Sequence, residues 1–329
     1  MTGEYDDDIE WLRAQQEATD PPVWDMPEYE PWGDERDDIV RETIMSGNGG
    51  SSGGSAVVDG APWGDDTEVA ETSMGEAAAR IAESFIDFDG FFSEEAIDDD
   101  YLIEPFIPRG RQIRVYAKAK QGKSLIVLEA GAALATGRRF MRNSAADPVH
   151  VLYLDFEMTK DDVRERLTDM GYSEDDEAVL NDYFHYASLP RVAPLDTAAG
   201  GFALVETAIA LGAELVIVDT ASRTVEGVEN DNDTWQNFYR FTGMLLKQAG
   251  ITFVILDHEG KEAKAGARGG SAKNDDVDVV WRLTYTEPRV VLDTRGIKRL
   301  GWIPDRIELE RLDSPLRHVI RDRVYSGEE

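Results

Sequence analysis

The segment AKAKQGKS, residues 117–124, has the residue types and spacing of a loop that binds nucleotide phosphates. Backbone N–H groups around its glycine can approach an anion, a lysine can reach the β and γ phosphates, and a serine hydroxyl suits Mg²⁺. The pattern usually begins with glycine, but alanine is tolerated there if its φ angle is negative. We therefore predict a nucleotide contact made by Ala117, Lys118, Ala119, Lys120, Gln121, Gly122, Lys123 and Ser124.

Four polar side chains follow apolar runs, and the carboxyl ends of parallel strands meet at one edge of a sheet. Asp219 ends ELVIVD and, with Ser124, is predicted to hold Mg²⁺; the alternative is a capping role. Asp155 ends VHVLYLD and Glu157 lies two residues later; one of the two could orient and deprotonate water, or both could be solvated loop acids. His258 follows ITFVILD and could sense the γ-phosphate, or simply bond to the backbone.

These positions require a particular order of secondary structure. Apolar, β-branched-rich runs predict buried strands at 113–117, 149–155, 214–219 and 251–257. Helical patterns lie between them at 124–137, 159–171, 200–213 and 234–250. This alternation predicts an α/β fold with a mostly parallel sheet covered by helices on both faces. After residue 277, alternating segments joined by TEP and DSP predict antiparallel strands.

Acidic residues are concentrated at one end of this chain of 329 residues, whose formal net charge is −32. The first 100 residues carry 29 acidic and 4 basic side chains, and the rest carry 37 acidic and 30 basic ones. Residues 1–74 have too few clustered aliphatic side chains to offset the entropy of ordering. We predict a disordered acidic tail with a Gly/Ser linker at 1–74, an amphipathic linker helix and lead-in at 75–99, and the α/β domain at 100–325.

Several classes of protein and site are excluded by composition. The chain has no cysteine, which excludes disulfides, thiolate metal ligands and cysteine nucleophiles. Its apolar runs are shorter than the roughly 18 residues of a membrane span, and MTGEYDDDIEW is unlike a secretory signal. Lysine first occurs at Lys118, so the first 100 residues do not form a basic nucleic-acid-binding face. We expect a soluble, cytoplasmic protein.

Five segments together resemble a known family. They are the phosphate loop, VLYLDFEMTKDDVRERL, LVIVDTASRTVEGVENDND, HEGK and GARGGSAKNDDVDVVWRL. In this order they are similar to the RepA-like and DnaB-like replicative helicases of the RecA-type P-loop superfamily, over about residues 85–311. The resemblance implies a RecA-like ATPase domain with ATP and Mg²⁺ as cofactors. It also implies Glu157, rather than Asp155, as the catalytic base, Asp219 as the Walker B acid and His258 as the sensing residue.

The same resemblance implies partners. Such proteins form rings, often hexameric, in which a basic residue of one subunit completes the site of its neighbour. Within GIKRLG, Arg299 is the first choice for this residue and Lys298 the second, and a plain surface pair is the alternative. The glycine-rich loop 260–274 is expected to contact single-stranded DNA. Its candidate DNA contacts are Lys261, Lys264, Arg268 and Lys273, which Arg223 could join.

The sequence therefore favours an ATP-driven motor on single-stranded DNA, most simply a replicative helicase. The alternatives are an ATP-switched adaptor or helicase loader that does not unwind DNA, and a recombinase-like filament protein. The acidic tail could mimic DNA in a basic channel, recruit a basic partner or keep the protein soluble. Its repeated PWGD segments at 31–34 and 62–65 could dock into a replication protein.

Overall fold

A computed structural model describes residues 81–82, 84–89, 91–92, 100–143, 146–228, 231–259 and 272–321. The predicted acidic tail at 1–74 lies outside these residues, as does most of the predicted linker at 75–99. Within the linker, residues 81–82 are helical and residues 85–88 are irregular. No helix in the described part of the chain is both long and apolar enough to span a bilayer.

The strands and helices alternate along the chain as the sequence predicts. The strands are β1 (Tyr101–Ile103), β2 (Ile107–Pro108), β3 (Gln112–Ala117), β4 (Val151–Asp155), β5 (Phe184–Ser188), β6 (Leu215–Asp219), β7 (Thr252–His258), β8 (Val279–Thr286), β9 (Arg289–Asp293), β10 (Arg306–Asp313) and β11 (Leu316–Ile320). The helices are α1 (Lys123–Ala135), α2 (Lys160–Asp169), α3 (Glu177–Tyr183), α4 (Ala198–Ala210), α5 (Asn232–Phe238), α6 (Met244–Gln248) and α7 (Ala272–Asp275).

Nine of these strands form one mixed sheet in the order β11-β10-β9-β8-β3-β7-β6-β4-β5. The strands from β8 to β5 in this order are parallel, and β8 to β11 follow one another as antiparallel neighbours. β1 and β2 form a separate antiparallel pair. The predicted α/β fold, mostly parallel with antiparallel C-terminal strands, is confirmed.

The central strands are apolar on both faces because helices cover the sheet from both sides. Along β6, Leu215 and Ile217 pack into the cluster that contains α1. Val216 and Val218 point the other way, into the cluster formed with α4 and α6. Alternate side chains of a strand point to opposite faces, so a continuous apolar run is what a doubly covered strand requires.

One helix differs from its prediction. The helix expected at 234–250 is interrupted by a π-helical turn at Tyr239–Gly243, between α5 and α6. Helix α4 passes close to this turn, since a Cβ on Gly201 would lie 2.2 Å from the carbonyl oxygen of Phe241. Glycine at that position is therefore required for the packing of α4 against the π turn.

Strand β5 and helix α3 were also not predicted. β5 lies at one edge of the sheet, and four of its five residues are partly exposed. An edge strand of this kind does not need the continuous aliphatic run by which the other parallel strands are recognised.

Candidate functional site

The predicted phosphate loop connects β3 to α1, as its sequence requires. Ala117 is the last residue of β3, where it pairs with His258 of β7 and Leu283 of β8 in extended conformation. An extended backbone accommodates alanine without strain, so Ala117 does not disturb the loop. Gly122 takes a φ of 88° and directly precedes α1, where a side chain would be strained.

The phosphate loop is anchored to the sheet through the side chain of Gln121. Lys118, Ala119 and Lys120 are exposed, while the side-chain oxygen of Gln121 accepts the backbone N–H of Tyr285 at 2.8 Å. This bond ties the loop to β8 on the side away from β7. The first N–H groups of α1 and its dipole then favour an anion at the loop.

Asp219 lies beside the first two residues of α1. Its Oδ1 is 3.5 Å from the amino group of Lys123, and Ser124 makes a side-chain hydrogen bond with its carboxylate. Burial raises the pKa of Asp219, against the opposing effects of Lys123 and Ser124. A hydroxyl and a carboxylate in contact are oxygen ligands that Mg²⁺ accepts alongside phosphate oxygens, so Ser124 and Asp219 would hold the ion, which neutralises phosphate charge.

The two acids after β4 occupy different environments. Asp155 is fully buried, and its Oδ1 accepts the backbone N–H groups of Glu157 at 2.7 Å and Met158 at 2.8 Å. Asp155 therefore shapes the turn that follows β4. The side chain of Glu157 is 30% exposed and lies beyond this turn. Of the two acids, Glu157 is the one able to meet water.

Two cationic or polar groups lie beside Glu157. Its Oε1 is 3.5 Å from Nε2 of His258 at the end of β7 and 3.5 Å from Nε of Arg223, in the 3₁₀ turn Ala221–Arg223 after β6. The carboxylate of Glu157 thus lies between groups from two neighbouring strand ends. A carboxylate held in this way has its orientation restricted before any substrate arrives.

The strand order explains why these groups meet. β3, β7, β6 and β4 are adjacent and parallel, so the phosphate loop, His258, Asp219 and Glu157 all lie at the carboxyl edge of the sheet. Asp155 and Asp219 are direct partners in the β4–β6 ladder, and Ala117 and His258 are partners in the β3–β7 ladder. The edge therefore presents a phosphate cradle, oxygen ligands for a cation and a carboxylate next to water.

Comparison with known proteins agrees with this geometry. The AAA_25 family model, described as an AAA domain, matches residues 78–264, which is more than half of the chain. The chain belongs to this family. It is thus a P-loop ATPase of the RecA type, and the match includes the phosphate loop, Glu157, Asp219 and His258. No curated protein matches the chain.

The AAA domain also has a cavity of about 410 Å³ at the opposite end of α1. It is lined by residues that include Leu134, Gly137, Arg109 and Glu214. The Arg109 guanidinium already pairs with the carboxylate of Glu214. This cavity belongs to the far side of the domain and takes no part in the candidate site.

The remaining predicted site residues are those expected to meet a neighbouring subunit or DNA. Arg299 is exposed, and its backbone N–H bonds to the carbonyl of Asp278. Lys298 is 19% exposed, and its amino group lies 2.9 Å from the Asp305 carboxylate. The side chain of Arg299 is thus more exposed than that of Lys298.

Of the four basic residues predicted to contact DNA, three lie outside the described residues, namely Lys261, Lys264 and Arg268. The fourth, Lys273, belongs to α7 and is 12% exposed. Its amino group lies 3.2 Å from the buried carboxylate of Asp257 and 4.1 Å from the ring centroid of Trp235. These contacts indicate a role for Lys273 in the packing of the domain rather than in contacting DNA.

Two tyrosines of the AAA domain were missed by sequence reasoning. The hydroxyl of Tyr153 donates to Asp219 Oδ2 at 3.2 Å, and the hydroxyl of Tyr186 donates to Asp155 Oδ2. A signal for the first exists in the sequence, because Tyr153 precedes Asp155 by two residues and so shares its face of β4. No comparable pattern indicates Tyr186, because β5 itself was not predicted.

Proposed function

We propose that this ATPase is a motor that hydrolyses ATP as it moves along single-stranded DNA, and that it acts as a ring-forming replicative helicase. The observation that carries the proposal is that residues of the hydrolytic site are continuous in sequence with the loop expected to contact DNA, 260–274, and with the acidic loop that carries Arg223. Asp219 ends β6 and His258 ends β7, and each is followed directly by one of these loops. Each loop is only a few residues from Asp219 or His258, so movement of either loop would shift the groups that surround Glu157.

Arg223 supports a coupling between DNA and hydrolysis. Its side chain is 61% exposed and lies 3.5 Å from the carboxylate of Glu157. A DNA phosphate close to this loop would compete with Glu157 for the guanidinium, since both are anions. Release of Glu157 would leave its carboxylate able to accept a proton from water. On this proposal, single-stranded DNA stimulates turnover.

The chemistry follows from the groups at the sheet edge. Glu157 would orient the attacking water and take its proton, and Lys123 would stabilise charge on the transferred phosphoryl group. His258, in contact with Glu157, would report the state of the γ-phosphate to the loop after β7. On this proposal the protein forms a ring, in which Arg299 of an adjacent subunit would complete the site.

An ATP-switched adaptor or helicase loader is the second candidate, and the charge of the chain favours it. Residues 101–329 carry 37 acidic and 30 basic side chains, so the ATPase region as a whole is slightly acidic. A motor that tracks a DNA backbone usually relies on a basic groove. An adaptor needs only a nucleotide-dependent surface.

The test is ATP turnover with and without single-stranded DNA, for the wild type, Glu157→Gln and Lys123→Ala. We expect turnover of the wild type to rise with DNA and to fall by about 10²- to 10⁴-fold in Glu157→Gln, which should still bind ATP. Lys123→Ala should lose both binding and turnover. Glu165→Gln makes the same chemical change at an exposed position of α2 and should behave as the wild type. Full activity of Glu157→Gln would move the role of base to Asp155.

Strand displacement on a forked DNA then separates the candidates. A helicase releases the displaced strand while it hydrolyses ATP, and an adaptor or loader hydrolyses ATP without releasing it. A recombinase-like protein would instead form long nucleoprotein filaments, visible by electron microscopy. Absence of release under conditions of DNA-stimulated turnover would overturn the helicase proposal and leave the adaptor.

A further inference from the structure

Two tyrosine hydroxyl groups, one fully buried and one partly buried, contact the aspartates of the sheet edge. Tyr153 is fully buried on β4, and its hydroxyl donates to Asp219 Oδ2 at 3.2 Å. The other oxygen of this carboxylate lies 3.5 Å from Lys123. The two oxygens of Asp219 are thus held from opposite sides, by a residue of β4 and a residue of α1.

The second hydroxyl acts on the turn that presents Glu157. Tyr186 of β5 donates to Asp155 Oδ2, while Asp155 Oδ1 accepts the N–H groups of Glu157 and Met158. Asp155 therefore connects the hydroxyl of Tyr186 to the backbone N–H of Glu157. Loss of the hydroxyl would leave one oxygen of a buried carboxylate without this donor, and the carboxylate would be free to rotate away from the turn.

The two tyrosines are also in contact with each other. They are direct partners in the β4–β5 ladder, and their rings stack at a centroid distance of 4.7 Å with an interplanar angle of 25°. Burial raises the pKa of both phenols, and hydrogen bonds to Asp219 and Asp155 act in the same direction.

We propose that Tyr153 and Tyr186 form a stacked positioning pair that fixes the metal-binding carboxylate of Asp219 and the turn of Glu157 relative to each other. In this role the pair acts through the two aspartates. The inference rests on the proposed function, since it takes Asp219 as a magnesium ligand and Glu157 as the base. Outer partners of this kind commonly alter metal affinity or activity by about 10- to 100-fold when removed.

The test uses Tyr153→Phe and Tyr186→Phe, which keep the rings and their stacking and remove only the hydroxyls. We expect Tyr153→Phe to raise the Mg²⁺ concentration needed for half-maximal turnover by about tenfold. Tyr186→Phe should lower kcat by about tenfold at saturating Mg²⁺, with the KM for ATP little changed. Because the rings are in contact, the double variant should differ from the product of the single effects.

Tyr172→Phe is the matched control. Tyr172 is also buried, but its hydroxyl lies 3.5 Å from Thr136 at the far end of α1. This variant should melt at a temperature similar to those of the two test variants, with the Mg²⁺ dependence and kcat of the wild type. A purely structural role of the pair predicts equal behaviour of all three variants, and that result would overturn the inference.

If Tyr186→Phe does not fold, a second variant, Asp155→Asn, tests the same turn. Asp155→Asn keeps an oxygen for the N–H groups of Glu157 and Met158 and removes the charge that Tyr186 binds. Asp155→Asn should lower kcat with little change in the KM for ATP. If the folded variant has the kcat of the wild type, the proposed positioning role of the two tyrosines is wrong. These outcomes differ from failure of the proposed function, in which the wild type does not hydrolyse ATP or Glu157→Gln retains full turnover.

Discussion

Asp155 and Glu157 are separated by one residue, yet they meet different surroundings. Asp155 faces the interior at the end of β4 and accepts N–H groups, whereas Glu157 lies beyond the turn, beside Arg223 and His258. A general base must reach the water from which it takes a proton, so exposure separates the roles of the two acids. Asp219 is a third case, because its carboxylate is buried although the proposed chemistry needs its charge.

Asp219 is expected to lower the stability of the nucleotide-free protein as the pH rises. Its pKa in the folded state is raised by burial above the ordinary value of 3.8. The folded state therefore binds a proton more readily than the unfolded state, and its contribution to stability is lost as the pH rises through the raised pKa. Each unit of the shift is equivalent to about 1.4 kcal/mol at higher pH.

The measurement is urea denaturation of the wild type and Asp219→Asn between pH 4 and pH 8. We expect the stability of the wild type relative to Asp219→Asn to fall as the pH increases. Asp161→Asn, an exposed aspartate on α2, should run parallel to the wild type over the whole range. A relative gain in wild-type stability with rising pH would contradict the raised pKa.

At the scale of elements, α1 connects the nucleotide site to the last strand of the sheet. Glu129, in the middle of α1, is 1% exposed and lies 2.6 Å from Nδ1 of His318 on β11. It also accepts the backbone N–H of His318. A buried carboxylate with several donors joins the two elements firmly, because every alternative arrangement leaves it unpaired in the interior.

We expect Glu129→Ala to lower the free energy of unfolding by about 3–5 kcal/mol, because it leaves His318 buried without its acceptor. Glu129→Gln keeps an acceptor oxygen and should lose less. Arg164→Ala removes an exposed pair with Asp161 on α2 and should leave stability unchanged within error. Urea denaturation at pH 7 measures all three, and a Glu129→Ala protein as stable as the wild type would show that β11 does not depend on this contact.

At the scale of the whole molecule, negative charge is distributed very unevenly. Residues 1–74 carry 20 acidic and 3 basic side chains, while the ATPase region is nearly balanced. An acidic segment joined to a DNA-binding ring would compete with DNA for basic residues in the channel, and salt would weaken that competition. The same charge could instead recruit a basic replication protein.

Deletion of residues 1–74 is therefore expected to strengthen the binding of single-stranded DNA several-fold at about 50 mM salt, with a smaller effect at about 200 mM. Fluorescence anisotropy of a labelled oligonucleotide measures the affinity. A full-length chain in which the acids of this segment are changed to Asn and Gln is the control for length and should match the deletion. Equal affinity of wild type and deletion at both salt concentrations would eliminate the competition and favour recruitment or solubility.

Much of this architecture was determined locally by the sequence. The apolar runs around β3, β4, β6 and β7 predicted the strands, since a strand covered on both faces needs apolar residues at successive positions. Gly122, Lys123 and Ser124 predicted the phosphate loop, because a short turn before a helix must expose its N–H groups to bind an anion. Strand β5 was missed, because its half-exposed residues carry no such pattern.

Only the tertiary structure decided which of these groups work together. The order β3-β7-β6-β4 is a property of the whole sheet, and it brings Lys123, Glu157, Asp219 and His258 to one edge although they are spread over 136 positions from first to last. The different roles of Asp155 and Glu157, the stacked tyrosines and the contact of Glu129 with β11 depend on the direction and burial of side chains. Local sequence determines which element forms, whereas long-range packing determines what each side chain meets.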